Sequence, residues 1–404
     1  VMEEKQETTV HAIRVPGTLA ILVTVLFGRL PQGMVSLAFI QFIRDEGGSF
    51  AYASALVSTF VIAGTLGQPL FGRLIDRFGS ARIIIGTGTI ASMAFAGLAL
   101  TPTGLVWLVL PLGAIAGFAT PPLESAARVY WPRMMKRGTQ LDQAYGLDLM
   151  GQQLIYVFGP LLSALGIAWL GSRGNLWGIV AIGLFGALAF ALIPEPAKRA
   201  EEAAPAGIVK HQSLISDAFF TRLLIFMFGL GVPVGVQAIA ATNYGEFHGS
   251  ATASGFAFAA YACGGTLGAL SVSKLKTGTM NLRQISFIGV AVAVGYAPLA
   301  FLGAPLWLYC VLSVLSGLAF PIGLTAGFQM VERTCLPTRL AEANGWVIAV
   351  VNLGVALGAM GAGPLVDWLG KIPGITTAVI LAAFVSLAGV ATIWNLDATS
   401  RLRR

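Results

Sequence analysis

Residues 67–79 read GQPLFGRLIDRFG and set Arg73, Asp76 and Arg77 within five positions of one another. Uncharged, mostly apolar runs about twenty residues long flank them on both sides. The same economy of charge governs the whole chain. Of 404 residues, 56% are hydrophobic and 11% charged, with a mean hydropathy of +0.79; a soluble chain carries about 25% charged residues. Apolar segments of about eighteen residues or more recur from end to end, each long enough to cross about 30 Å of hydrocarbon. An all-α polytopic membrane protein is the fold class this implies. A transmembrane barrel is excluded, because its strands would alternate apolar and polar residues over about ten positions.

The run starting near Pro16 is too long for a signal-peptide core and lacks a small-residue cleavage site, so it reads as a retained span. Cys263, Cys310 and Cys335 fall in or beside apolar runs, and His11, His211 and His248 are far apart. No disulfide framework, metal site or cofactor is expected from them. The sequence pI of about 9.5 belongs to the loops and implies no nucleic-acid partner.

Cutting the apolar runs at charge clusters and Gly/Pro turns predicts twelve spans. They divide the chain into an N-terminal tail (1–15), six spans (16–193), a linker (194–217), six more spans (218–394) and a C-terminal tail (395–404). The linker carries PEPAKRAEEAAPAG from Pro194, a composition that cannot bury a core. Of 25 basic residues, 21 fall in the tails and the even-numbered loops; Arg44, Arg173 and Lys371 lie on the opposite side, and Arg29 within a span. Short loops rich in Lys and Arg stay cytoplasmic, so both termini are expected there.

The two halves repeat. Gly64–Gly67 (GTLG) recurs as Gly265–Gly268, and Phe27–Gly28 as Phe228–Gly229, both at an offset of 201. GFATPPLESA from Gly117 matches GLAFPIGLTA from Gly317 at four positions, and Leu141, Ala144 and Gly146 match Leu340, Ala343 and Gly345. Four matches in order at a nearly constant offset argue for duplicated halves, a plan on which many secondary transporters are built, with substrate held between the halves.

With these features in place, Gly72–Gly79 (GRLIDRFG) resembles the signature loop of the major facilitator superfamily, and the resemblance covers nearly the whole chain. Physically, Gly72 lets span 2 approach a neighbour closely and Gly79 allows a tight reversal into span 3. The resemblance implies that the loop docks on the start of span 11, near Leu340–Gly345, where Asp76 would meet the positive end of a helix dipole. The loop would thus latch one of two states. For Arg73 and Arg77 the alternative is simple anchoring on the basic side of the membrane. The equivalent loop of the second half, from Ser271, has lost the acid.

Ionisable groups inside a span are costly and mark functional candidates. Arg29 lies near the middle of span 1 and is a candidate anchor for an anionic group, bidentate for a carboxylate or phosphate; the competing reading is an internal salt bridge. Glu124 and Arg128 lie one turn apart on span 4, and Tyr145, Asp148, Gln152 and Tyr156 form one polar stripe on span 5. Glu124, Arg128 and Asp148 fall at similar depth and are candidates for carrying a coupling proton, or for a static ion network. Further candidate ligand contacts are Gln32, Gln152, Tyr156, Gln237, Asn243, Tyr244, Gln329 and Asn352. IIIGTGTIA from Ile83 imitates a dinucleotide fingerprint but lies inside an apolar run with no acid about twenty residues on.

Related proton-driven drug exporters carry an arginine eleven residues before the proline of helix 4; here that position, counted from Pro121, is Leu110, which puts the usual coupling route in doubt. Gly159 and Pro160, followed by Ser163, Ala164 and Gly166, partly match the exporters' glycine-rich antiporter motif. These small residues are expected to pack on a glycine-rich segment such as Gly264–Gly265–Gly268. The expectation is therefore a monomeric secondary transporter of the bacterial inner membrane, not an enzyme. It would export a small amphipathic or anionic solute through a proton-linked, alternating-access cycle in the lipid bilayer. Uptake or facilitated diffusion of an organic anion is the alternative, and a transporter-like receptor a more distant one.

Overall fold

The structure is a computed structural model that describes residues 15–135, 139–194, 217–275, 282–335 and 340–394. The expected linker and both expected tails lie almost wholly outside these residues. What is described is nearly all helical, with no strand among the described residues: α1 (Thr18–Asp45), α2 (Phe50–Phe78), α3 (Ser80–Leu100), α4 (Val106–Phe118), α5 (Leu123–Met134), α6 (Thr139–Ala191), α7 (Ala218–Phe247), α8 (Ala251–Leu275), α9 (Leu282–Gly295), α10 (Leu306–Thr334), α11 (Leu340–Leu369) and α12 (Lys371–Trp394). Eleven helices among the described residues are long and apolar enough to cross a membrane.

The longest of the eleven, Leu154–Ala191, is a hairpin. Gly171 interrupts it in the left-handed region (φ 74°), and Asn175 Nδ2 donates to Ser163 Oγ at 2.8 Å. Twelve residues along a straight helix would separate those side chains by about 18 Å. The chain therefore doubles back at Gly171, and α6 supplies two antiparallel arms.

The fourth span breaks instead of bending. α4 ends at Phe118 and α5 begins at Leu123, with Pro121 and Pro122 between them. Both prolines lack an N–H, and each pushes the residue before it out of the helical region. The corresponding segment of the second half has a single Pro321 followed by Ile322, and α10 runs through it unbroken. One extra proline makes the two halves differ where they otherwise repeat.

The repetition itself is carried by glycines. A Cβ on Gly67 would collide with the Phe118 carbonyl oxygen, and one on Gly268 with that of Leu318; Gly117 and Gly317 meet the carbonyls of Phe60 and Tyr261 in the same way. Gly186 lies against Gly28, as Ser386 lies against Gly229. In a bilayer, helices associate through such close backbone approach and not through a hydrophobic drive. The fold is thus two pseudo-symmetric helical halves. α8 meets α10 through Gly264 and Gly268, while its contact with α6 is at Gly255, against Pro160 and Ala164. Packing of Gly159–Gly166 on Gly264–Gly268 is therefore corrected. Gly255 lies about 14 Å nearer the start of α8, and Gly159 packs on Gly33 of α1. At Gly72 no atom of the described residues lies within 4 Å of where a Cβ would stand.

Large apolar side chains cover the outside as well as the interior; Met93, Phe185, Leu192 and Phe384 are all exposed, as a lipid-facing surface requires. Four tryptophans, Trp107, Trp169, Trp307 and Trp368, are between 69 and 84% exposed. They stand at the helix ends near residues 105, 170, 305 and 370, all at one end of the molecule, and mark one membrane interface. The halves meet through α2 with α11 and through α6 with α8.

Gly67→Ala and Gly268→Ala are each expected to cost about 1–3 kcal/mol by overpacking a helix crossing, lowering the thermal-unfolding midpoint of the purified protein. Gly86→Ala, where nothing lies within 4 Å, serves as the control; equal midpoints for all three variants would refute the packing assignment.

Candidate functional site

α1 carries Arg29 eleven residues beyond its start, about 17 Å along the axis, and the side chain is 2% exposed. Its Nη2 donates to Glu124 Oε2 at 3.2 Å, and Nη1 lies 3.7 Å from Asp148 Oδ1. Glu124 stands in the first turn of α5. The proline break thus turns a helix N-terminus inward, and the carboxylate meets both its positive end and the guanidinium. Asp148 comes from α6 and is 5% exposed. Three helices therefore converge in one ion set, as a charge at membrane depth demands.

The sequence places Glu124 and Asp148 at one depth but Arg29 apart from them, near mid-membrane. The long, flexible arginine side chain covers that difference. Arg29 Nε and Nη1 make no hydrogen bond among the described residues, so the guanidinium keeps donors beyond those it gives Glu124. The side chain of Arg128 lies outside the described residues.

Next to the ion set, Gly28, Pro31, Gln32, Ser92, Thr120 and Pro121 line a small pocket at the proline break. Ser92 and Thr120 carry no sequence signal that separates them from other hydroxyls on apolar helices; the signal was the proline pair beside them. Gln68 Nε2 donates to the Thr120 carbonyl at 3.4 Å, and Thr120 Oγ1 to that of Ala116 at 3.1 Å. These bonds satisfy carbonyls near the break.

The remaining candidates scatter. Gln152 and Asn352 are half-buried, and Tyr156 is exposed. Gln237 is buried with Nε2 unpaired, as is Gln329 Oε1, among the described residues. Asn243 and Tyr244 lie at one sealed end of the molecule. Asn243 Nδ2 donates to the Lys371 carbonyl at 2.8 Å. The Tyr244 hydroxyl donates to the Ala304 carbonyl at 2.9 Å, and its ring stacks on Tyr309 at 3.8 Å. Position 243 is about 38 Å along α7, past the hydrocarbon core.

That sealed end joins the two halves. Arg44 Nε and Nη2 donate to the two carboxylate oxygens of Glu246 at 2.6 and 2.9 Å, and Lys371 Nζ lies 3.5 Å from Glu246 Oε2. Arg173 pairs with Glu46, which also accepts from Thr103 Oγ1 at 2.8 Å. The three basic residues that the sequence puts on this side, Arg44, Arg173 and Lys371, thus each face a carboxylate; Glu46 and Glu246 look like ordinary loop acids in the sequence. Ser58 Oγ donates to the Ala356 carbonyl at 2.7 Å, and Asp367 accepts from the start of α2.

At the opposite end Gly345 is exposed, with open space where a Cβ would stand. Of the expected latch, Gly79 ends α2 in the left-handed region (φ 86°) and Arg77 is exposed. The side chains of Arg73 and Asp76 lie outside the described residues.

Lipid-facing helices in duplicated halves, an ion set at membrane depth and a seal at one end define an integral membrane transporter. The chain belongs to the Major Facilitator Superfamily, whose family model matches residues 21–275. It is 26% identical to the MFS-type transporter y4rN of Sinorhizobium fredii, over 98% of this chain and 97% of that one. It is also 26% identical to the multidrug efflux pump Tap of Mycolicibacterium fortuitum, over 87% of this chain and 90% of that one. The crystal structure of the nucleoside transporter NupG superposes with a TM-score of 0.77 at 17% identity, over 95% of this chain and all of that one, a likeness of fold. The protein is a transporter, not an enzyme.

Burial pulls the Glu46 carboxyl upward, but hydrogen bonds from Thr103 and Arg173 outweigh it and hold the group below its ordinary value of 4.5. A carboxyl lowered on folding stabilises fully above its unfolded value, and that gain is lost as pH falls through the lowered one. Glu46→Gln is therefore expected to lower the unfolding midpoint at pH 7, with the difference from the parent shrinking below about pH 4. A difference independent of pH would show that the carboxylate charge is not what stabilises.

Proposed function

We infer that the protein exports a small amphipathic or anionic organic solute in exchange for protons, by alternating access. Twelve crossings in two sets of six, 16–193 and 218–394, would rock about a central site as a monomer in a bacterial inner membrane, both termini cytoplasmic. The observation that carries this reading is the buried set Arg29–Glu124–Asp148. It joins a cation with spare donors to two carboxylates from different helices, beside a broken span. Broken helices at membrane depth are where transporters of many folds bind solute and ion. Similarity to a protein named as a multidrug efflux pump supports the outward direction, and the partial antiporter motif at Gly159–Gly166 agrees with it.

In this reading the Arg29 guanidinium anchors the polar end of the solute, with Gln32 beside it, while the apolar body rests on the neutral second half. In its ionised form Asp148 or Glu124 accepts a hydrogen bond from that polar end; a proton arriving at the acid weakens this bond and favours release of the solute, and bound solute holds the acid ionised in turn. Proton and solute thus compete for one carboxylate, which is the elementary requirement of exchange.

The test is export from proteoliposomes under an imposed pH gradient, with solutes first selected by thermal stabilisation of the purified protein. Asp148→Asn is expected to reduce gradient-driven accumulation at least about tenfold, the scale of one lost coupling interaction of 1–3 kcal/mol. It should leave solute-induced stabilisation in place. A parent protein that transports equally well without a pH gradient would refute proton linkage. Stabilisation by lipophilic cations, unchanged in the paired variant Arg29→Gln/Glu124→Gln, would refute the guanidinium anchor.

A further inference from the structure

The eight residues that end α11 read Gly363-Pro364-Leu365-Val366-Asp367-Trp368-Leu369-Gly370. They repeat Gly72-Arg73-Leu74-Ile75-Asp76-Arg77-Phe78-Gly79, which end α2: glycine, leucine, acid and glycine are identical, and Val366 and Leu369 conservatively replace Ile75 and Phe78. Backbone geometry repeats as well. Gly79 has φ 86° and Gly370 φ 90°, and the next helix begins at the following residue in both places. α2 and α11 run antiparallel, so the two copies stand at opposite ends of the molecule.

The copy at α11 is engaged. Asp367 Oδ1 accepts the Phe50 N–H at 2.9 Å, and Oδ2 the Ala51 N–H at 2.6 Å. These are among the first N–H groups of α2, which have no partner within their own helix. The helix's own cap, the Ser49 side chain, accepts the Tyr52 N–H at 3.0 Å. Asp367 thus supplies what Ser49 leaves open, a carboxylate against the positive end of a helix from the other half. Nearby, Ser58 donates to the Ala356 carbonyl and Gly363 packs on Phe50 and Ser54, so the contact lies within the seal.

Register connects the two copies. With Phe50 opposite Asp367, the twenty-six residues from Phe50 to Asp76, counted back along α11 at equal rise, end at about Ala341. That is the first turn of α11, which begins at Leu340. At that end Gly345 faces open space.

We propose that α2 and α11 form a reciprocal pair of latches: Asp367 caps α2 when the Trp-bearing end is closed, and Asp76 caps α11 when the other end is closed. Each helix ends in the same acid-bearing turn and begins with the N–H groups that the partner's turn receives. The sealed state then has a charged catch of its own, matched to the one the loop at 72–79 supplies to the opposite state. This rests on the alternating-access reading given above.

The test uses purified protein in nanodiscs with Cys263, Cys310 and Cys335 replaced by alanine. Two single-cysteine reporters are alkylated with a maleimide: Ser58→Cys, buried in the seal, and Gly345→Cys, exposed at the open end. Asp367→Asn is expected to raise the rate at position 58 several-fold and lower it at 345; Asp76→Asn does the reverse, and the double variant returns both towards the parent. Asp367→Glu, which keeps the charge and displaces it by one methylene, moves the reporters in the same direction as Asn and is measured should the Asn variant fail to fold. Movement with Asp76→Asn but not with either Asp367 variant would overturn the reciprocal latch and leave the transport reading standing. No movement at either reporter in any variant would overturn alternating access itself.

Discussion

A guanidinium in the middle of an apolar helix has to be met by carboxylates, and the rest of the first half is arranged around that need. Arg29 is nearly inaccessible, and an unpaired charge at that depth would cost several kcal/mol. Glu124 can reach it only because Pro121 and Pro122 stop α4 and restart the chain as α5, with an acid in the new first turn. Asp148 can reach it only because α6 lies against α1 through Gly33 and Gly159. Backbone approach, helix break and ion set are thus one construction. The second half lacks the second proline and keeps α10 whole, and its candidate site groups Gln237, Gln329 and Asn352 are neutral amides. The halves differ in the proline pair, Pro121-Pro122 against Pro321-Ile322, and in the charges themselves, Arg29 and Glu124 standing where the second half has Leu230 and Leu324.

Much of this was legible in the residues. Hydropathy points to an all-helical membrane protein, and the recurrences at offsets of 199–201 point to duplicated halves; the matched pairs Gly28/Gly229, Gly64/Gly265, Gly67/Gly268 and Gly117/Gly317 each mark a crossing with the corresponding partner in both copies. Arg29, Glu124 and Asp148 were visible as charges at membrane depth. What could not be read was their union, since depth along a helix says nothing of rotation about its axis or of side-chain reach. The setting of Asn243 and Tyr244 was hidden for a related reason: a polar residue in an apolar run looks the same at mid-membrane and at a sealed mouth. Only the length of α7 separates the two cases.

The seal was hidden for another reason. Glu46, Glu246 and Asp367 sit in or beside short loops, where acids are ordinary, and their partners lie 57 to 317 residues away in the chain. Local pattern carries no information about pairing over such distances. Charge balance did carry some. The three basic residues assigned to that side are few enough that each finds an acid, and together they leave the sealed face nearly neutral at its rim.

The exposed indoles of Trp107, Trp169, Trp307 and Trp368 have a mechanical consequence. Two belong to each half, at matching positions, and all four float at one headgroup level. On the alternating-access reading, opening of the sealed end would have to spread these pairs sideways within that level, because lifting or sinking any indole would take it out of the layer it prefers. The work would be done against lateral pressure in the headgroup plane. Bilayer composition at that one interface would thereby enter the balance between closed and open forms, independently of whatever occupies the site within.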